Sequence, residues 1–323
     1  MNDRRSFFWK LAGLLAGVSF LSPTEEGRAE PATDRIGELL PTRPLGNTGE
    51  QIPMLGLGGW HIGRMEESEA ERTIDTAIHG GIRFFDTAQD YQDGESERRY
   101  GKYLVPKYRD DVFLMTKTLS YDAETARDHL EGSLQRLKTD YLDLWQLHSL
   151  KSQKDAEQRL DDGLLEVMEE AKSSGKVRYI GFTGHRMWEA HRTILERTDL
   201  FDTCQMPVNV LDPGYKSFIS NILPMLVERE MGVLAMKTLS NGRFFEQREG
   251  GRVIPELLSV KDALYFVWSL PVSVLITGPD DHQQLQEKIK LAKNFRPFSE
   301  NRRQRLIAKV SHLMGNEREY YKP

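Results

Sequence analysis

The sequence predicts an α/β fold, a closed (β/α)8 barrel, on three observations. Eight short apolar runs recur along the chain, amphipathic helical patterns separate them, and the order strand then helix repeats throughout. Such alternation implies a parallel sheet covered by helices, and eight repeats suit a closed barrel better than an open sheet. A doubly wound open sheet is the alternative. It is disfavoured because the one early glycine-rich piece, "GLGGWHIG", lacks the G-x-G-x-x-G order and reads as having no helix directly after it.

The elements follow in order. "TRPLGNTGEQIP" predicts an N-terminal β-hairpin turning near Asn47-Thr48-Gly49, residue types that favour tight turns. The strands are then "MLGLGGW", "IRFFDTA", "DVFLMTK", "LDLWQLH", "VRYIGFTG", "TCQMPV", "GVLAMKTL" and "VSVLITG". The intervening helices are typified by "AETARDHLEGSLQRL", where Ala126, Leu130, Leu134 and Leu137 recur at spacings of three and four. "FSENRRQRLIAKVSHLMG" reads as one further helix on the outside, its charges a solvated face. The barrel with this outer helix is thus expected over residues 43–323, after a polar, Pro-containing linker at 30–42.

Residues 1–29 have a different character. Arg4 and Arg5 precede an apolar segment from Leu11 to Leu21 and a small-residue site at Gly27-Arg28-Ala29, the layout of a secretory signal. "DRRSFFWK" resembles the twin-arginine type, whose pathway carries folded proteins, so periplasmic or other export and contact with export machinery are expected. The apolar segment falls short of the roughly 18 to 20 residues that span a bilayer, so no stable membrane span is expected. Loss of residues 1–29 removes four basic and three acidic side chains and moves the net charge from −5 to −6. That mild acidity argues against nucleic-acid binding. Cys204 is the single cysteine, so no disulfide forms within the chain; it sits in an apolar strand and reads as buried core. No metal site is expected.

In a barrel the carboxyl ends of the strands share one mouth. Those ends carry Asp86, Lys117 and His148, with Tyr91 in the loop after Asp86. A lysine ammonium near a tyrosine hydroxyl favours the phenolate, an aspartate keeps the lysine charged, and a histidine hydrogen-bonds the tyrosine or a substrate oxygen. The set suits proton transfer to a carbonyl oxygen while hydride reaches the carbon from elsewhere.

"GLGGW", "FFDTAQDYQDGESERRYG", "LMTK", "LQRLKTDYLDLWQLH" and "GKVRYIGFTGH" resemble, in order, the aldo-keto reductase superfamily. The resemblance implies a TIM barrel with a hairpin across its base and NAD(P)H-dependent reduction of aldehydes or ketones. It places Tyr91 as general acid, Lys117 and Asp86 as the pair that tunes it, and His148 as the group orienting the carbonyl. For the cofactor it implies Thr183, Gly184 and Gln205 at the carboxamide, Met236 at the ring, and Leu239, Asn241 and Gly242 near the pyrophosphate. The adenosine phosphate falls to Gly278, Gln284, Glu287 and Lys288, with Arg243 as a further cation.

The chain departs from the family at several of these positions. Thr183-Gly184 stands for Ser-Asn, Met236 for a stacking aromatic, and Gly278 and Gln284 for basic residues beside Asp280 and Asp281. NADP(H) is therefore expected only narrowly ahead of NAD(H). Trp60, His61, Tyr121 and His185 are the substrate-binding candidates, for a small carbonyl or alcohol. A sensor or partner-binding subunit that holds a dinucleotide with little turnover is the alternative function.

Overall fold

The computed structural model of the protein describes residues 32–244 and 257–323. The export signal expected at residues 1–29 lies outside the described residues. Two short strands, β1 (Thr42–Pro44) and β2 (Gln51–Pro53), pair antiparallel as the predicted hairpin. Eight more close the barrel: β3 (Leu55–Gly58), β4 (Phe84–Asp86), β5 (Phe113–Thr118), β6 (Leu142–Leu150), β7 (Val177–Gly184), β8 (Thr203–Pro207), β9 (Gly232–Met236) and β10 (Val274–Thr277). They run parallel in sequence order, and β10 pairs with β3 to complete the ring. Each predicted apolar run is one of these strands.

Two apolar layers hold the ring together. Inside it, Phe84, Phe113, Met115, Leu144, Leu234, Val274 and Ile276 pack as one cluster, closed at the base by Leu45 and Ile52 of the hairpin. Phe84 and Phe113 stack with ring centroids 5.0 Å apart. Outside it, helices seal the other face of each strand. Helix α1 (Glu67–His79) buries Ala70, Ile74, Ala77 and Ile78, the one-sided spacing of an amphipathic helix. Helix α2 (Glu95–Tyr103) begins at Gly94, where three consecutive left-handed residues, Gln92, Asp93 and Gly94, turn the chain after Tyr91. Helix α3 (Ala123–Leu137) buries Ala126, Leu130, Leu134 and Leu137 as its sequence spacing required, and Asp122 caps it through a 2.8 Å bond from the Thr125 amide.

Three details differ from the sequence reading. A single helical turn, Gly59–Ile62, does follow β3 directly. The described part of the expected linker is docked on the barrel: Asp34 pairs with buried Arg83 at 2.6 Å, and Leu40 is buried. Beyond the outer helix, here α4 (Glu300–Val310), the last residues fold back, and Glu319, Tyr321 and Lys322 are buried. Cys204 is fully buried as expected, and burial pushes its thiol pKa well up. Among the described residues no helix is long and apolar enough to cross a membrane.

Candidate active site

Strand register brings two of the strand-end residues together. Asp86 ends β4 level with Met115, and Lys117 lies two residues further along β5, so both side chains enter the ring on the same face. The Lys117 ammonium, 1% exposed, sits 2.5 Å from Asp86 Oδ1 and donates to the Thr87 carbonyl at 2.7 Å. It also donates to the Tyr91 hydroxyl at 3.2 Å. One buried cation thus ties a carboxylate, a backbone carbonyl and a phenol.

The tyrosine is not tuned as the sequence suggested. Burial pushes the Tyr91 pKa well above its usual value, and the negative charges of Asp86 and Asp90 push it further. The Lys117 charge favours the phenolate, but Asp86 lies closer to it than the phenol does, 2.5 against 3.2 Å. Tyr91 is therefore held in its protonated form.

His148 lies on β6 beside a break in register with β7, and the next residue, Ser149, is left-handed. Such irregularities re-aim side chains next to active sites. The His148 ring meets the Tyr91 ring edge to face, 5.6 Å between centroids. Its Nδ1 lies 3.0 Å from Asp90 Oδ1. Asp90 went unnoticed in the sequence, where its position directly before Tyr91 was the only signal.

On the cofactor side Thr183 and Gln205 are register partners across β7 and β8, both buried. Gln205 Nε2 reaches Asp86 Oδ1 at 3.5 Å, and its Oε1 has no hydrogen-bond partner among the described residues. A buried acceptor without a donor suits the amide of a nicotinamide. Gly184 has a steric cause: a Cβ there would lie 2.8 Å from both His191 Cε1 and the Leu150 carbonyl oxygen. The family's asparagine has no room, so Gly184 offers backbone only.

Met236 ends β9, half-buried. In the loop after it Leu239 packs against the core, while Asn241 and Gly242 are exposed with left-handed backbone. At the last strand, Gln284 is tied to Asp280 by two 3.2 Å bonds, from the Asp280 amide and to its carboxylate. Glu287 is exposed. Lys288 is buried, and burial lowers its pKa to about 8 against the raising effect of Asp280, Asp281 and Glu287.

The substrate candidates separate. Trp60 stands over Tyr91, ring centroids 5.4 Å apart, and is 40% exposed at the rim. His61 instead covers Gly278, where a Cβ would lie 2.0 Å from its Nδ1, and approaches Asp280 at 4.0 Å. It belongs with the segment after the last strand, where the adenosine phosphate is expected. Burial takes its pKa down to about 4. The Tyr121 hydroxyl donates to Asp155 at 2.6 Å and accepts from Lys151 at 3.2 Å, so its polar end is already engaged away from Lys117.

His185 faces the Tyr321 ring at 5.9 Å, and burial lowers its pKa to about 3. Tyr321 belongs to the returning tail, which carries no sign of its docking in the sequence. Asn209 donates to Glu319 and Tyr321, Lys322 bridges Asp212 and Glu319, and Ser240 donates to the Arg318 carbonyl. Arg243 stacks on Tyr320 at 4.1 Å. Among the described residues no three His, Cys, Asp or Glu side chains group as a metal site.

Similarity to known proteins agrees with this geometry. The model of the Aldo/keto reductase family matches residues 54–306. L-galactose dehydrogenase of Arabidopsis thaliana is 30% identical over 243 residues, covering 68% of this chain and 73% of that protein. Methylglyoxal reductase YeaE of Escherichia coli is 29% identical, covering 58% and 65%. The holo form of aldo-keto reductase AKR11C1 from Bacillus halodurans shares the fold, with a TM-score of 0.74 at 22% identity over 87% of this chain and 99% of that one. The chain belongs to the Aldo/keto reductase family and is a carbonyl-reducing oxidoreductase.

Proposed function

We propose that the protein reduces aldehydes or ketones to alcohols with a nicotinamide cofactor, Tyr91 donating the proton to the carbonyl oxygen. The observation that carries this is the bonding of Lys117 to Asp86, Thr87 and Tyr91 at one buried point. When bound, the reduced nicotinamide supplies hydride to the carbonyl carbon. Tyr91, neutral because it is buried beside Asp86 and Asp90, presents its O–H to the oxygen. As the proton leaves, the phenolate that forms is held by Lys117, a charge-assisted bond stronger in the transition state than before it. His148 orients the substrate.

Thr183 and Gln205 would hold the carboxamide, Met236 the ring, and the backbone of Leu239, Asn241 and Gly242 the pyrophosphate. Gly278, Gln284, Glu287 and Lys288 would meet the adenosine end. NADP(H) stays narrowly ahead of NAD(H), from the family, since Gln284 is occupied by Asp280 and Lys288 is the near cation. Similarity to proteins named for L-galactose and methylglyoxal accords with a small carbonyl or alcohol substrate. Steady-state turnover of an aldehyde and ketone panel with each nucleotide tests the reading. Tight nucleotide binding without turnover would refute it and favour a sensor.

We also propose export through the Arg4-Arg5 signal, supported by residues 1–29 alone. Arg4→Lys with Arg5→Lys should keep the protein in the cytoplasm on fractionation; unchanged export refutes a twin-arginine route.

A further inference from the structure

His148 is carried by an irregular stretch of β6 that one helix holds at both ends. Leu147 is level with Phe182 and Leu150 with Gly184, so β6 has one residue more than β7 across this stretch, which holds His148 and Ser149. Ser149 takes up the excess with left-handed backbone, φ 60°. A bulge of this kind re-aims a side chain and disrupts the ladder, so its direction must be fixed by groups outside the sheet.

The helix Gln153–Asp161, which follows β6, supplies them. Arg159 Nη1 donates to the His148 carbonyl at 2.8 Å. One turn earlier on the same face, Asp155 Oδ2 accepts a 2.8 Å bond from the amide of Lys151, the residue directly after the strand. Tyr121 joins the two side chains. Its hydroxyl donates to Asp155 Oδ1 at 2.6 Å, and the Arg159 guanidinium lies 4.4 Å from its ring centre.

Arg159 is fully buried, yet most of its donors are idle. Nε stands 3.6 Å from Asp155 Oδ1, and neither Nε nor Nη2 has a hydrogen-bond partner among the described residues. A buried cation so sparsely bonded is a poor source of stability, because desolvation offsets much of its attraction to the carboxylate. Its hydrogen bond goes to the main chain of the residue whose ring meets Tyr91. Asp90 holds that ring at Nδ1, 3.0 Å away, so His148 is fixed at ring and at backbone.

We infer that Arg159 is a positioning residue, supported by Asp155 and Tyr121, that fixes the β6 bulge and with it the direction in which His148 presents its ring beside Tyr91. Tyr121, a substrate candidate in the sequence, belongs to this support. The kinetic consequence rests on the reductase reading above; the effect on the ring does not.

The test is a double-mutant cycle on the full-length enzyme, read by steady-state reduction of an aldehyde. Arg159→Lys keeps a charge beside Asp155 but has no fork to reach the carbonyl as well, and should lower kcat by about tenfold or more, since a misplacement of about 1 Å costs up to a hundredfold. KM for the nucleotide should stay within about twofold. In a His148→Ala background, which keeps the carbonyl and removes the ring, the same substitution should change kcat by less than about twofold, because its effect passes through that ring. Tyr121→Phe should follow the same pattern with a smaller loss, and carries the cycle if Arg159→Lys does not fold. Equal losses in both backgrounds mark a purely structural role and overturn the inference, as does wild-type kcat in Arg159→Lys.

Nitrogen NMR of the imidazole rings, with His148 assigned by His148→Gln, gives a readout free of turnover. Arg159→Lys, or Tyr121→Phe in its place, should shift or broaden the His148 signals and leave those of His282, which bonds Glu69 after the last strand, where they are. Unmoved His148 signals overturn the inference. If the wild type reduces nothing, the reductase reading fails, and the ring spectrum still decides whether Arg159 holds His148.

Discussion

Replacing Tyr91 by phenylalanine removes one oxygen and leaves the ring that Trp60 and His148 contact. Lys117 loses its 3.2 Å partner but keeps Asp86 at 2.5 Å and the Thr87 carbonyl at 2.7 Å, so the buried charge stays paired. Stability should change by no more than about 1 kcal/mol, the net value of one hydrogen bond. Turnover should fall by roughly 10² to 10⁴, the contribution of a positioned acid, or about 3 to 5 kcal/mol of barrier. Nucleotide affinity should stay within a few fold, because Thr183 and Gln205 stand on β7 and β8.

The pH profile sharpens the test. Burial and the charges of Asp86 and Asp90 raise the Tyr91 pKa, so the proton-bearing form persists through ordinary pH and into the alkaline range. Carbonyl reduction should therefore show no alkaline fall assignable to Tyr91 below about pH 10. The assay is the loss of reduced-nicotinamide absorbance with a ketone, run from neutral to alkaline pH on both proteins. Near wild-type turnover of Tyr91→Phe would remove the phenol from the reaction. A wild-type alkaline limb near pH 8, absent from the variant, would show that Lys117 dominates after all.

His191 is fully buried, neither ring nitrogen has a hydrogen-bond partner of good geometry among the described residues, and burial takes its pKa from 6.5 to about 4. Its folded pKa is depressed, so the stability it allows is present above 6.5 and lost as pH falls toward 4, up to about 3 kcal/mol in all. His191→Leu should flatten the decline of Tm over that window; an unchanged decline refutes the assignment. Lys322→Met leaves Asp212 and Glu319 buried without their cation and should cost about 3 to 5 kcal/mol, seen as a large fall in Tm. A shift within error would mean the tail is not anchored there. Titration of NADPH and NADH into nucleotide-free protein should give affinities less than roughly a hundredfold apart, since a lost charged bond is worth about 1.5 to 3 kcal/mol. A larger NADPH preference would mean that Lys288 or Arg243 grips the phosphate.

The barrel was legible in the sequence because each strand and helix announces itself within a few residues. Apolar runs of strand length and helices such as Ala123–Leu137 are decided by nearest neighbours along the chain. Asp86, Lys117, His148 and Tyr91 were legible for a related reason: closure carries all the carboxyl ends to one mouth, so strand-end position is nearly enough. Which way each group would act was not. The sequence suggested that Lys117 lowers the Tyr91 pKa, whereas burial and two carboxylates raise it, and burial depends on everything packed around the ring.

The same distinction separates the remaining residues. Trp60 and His61 are adjacent in sequence, yet one meets Tyr91 and the other lies on Gly278, which comes from the far end of the chain and closes the ring. The missing asparagine at Gly184 looked like a loss of cofactor contacts, and only the positions of His191 and the Leu150 carbonyl show that no side chain fits. The ending "EREYYKP" does not announce its place, yet Lys322 is buried against Asp212, a partner 110 residues away. By itself the sequence determined the succession of elements, their closure and the candidate polar groups at the strand ends, all local or periodic properties. The tertiary structure alone decided the neutral state of Tyr91, the pairing of Asp90 with His148 and the anchoring of the tail on Asn209, Asp212 and Ser240. Each of these is the energy of a buried pair, and burial brings together residues that the chain order keeps apart.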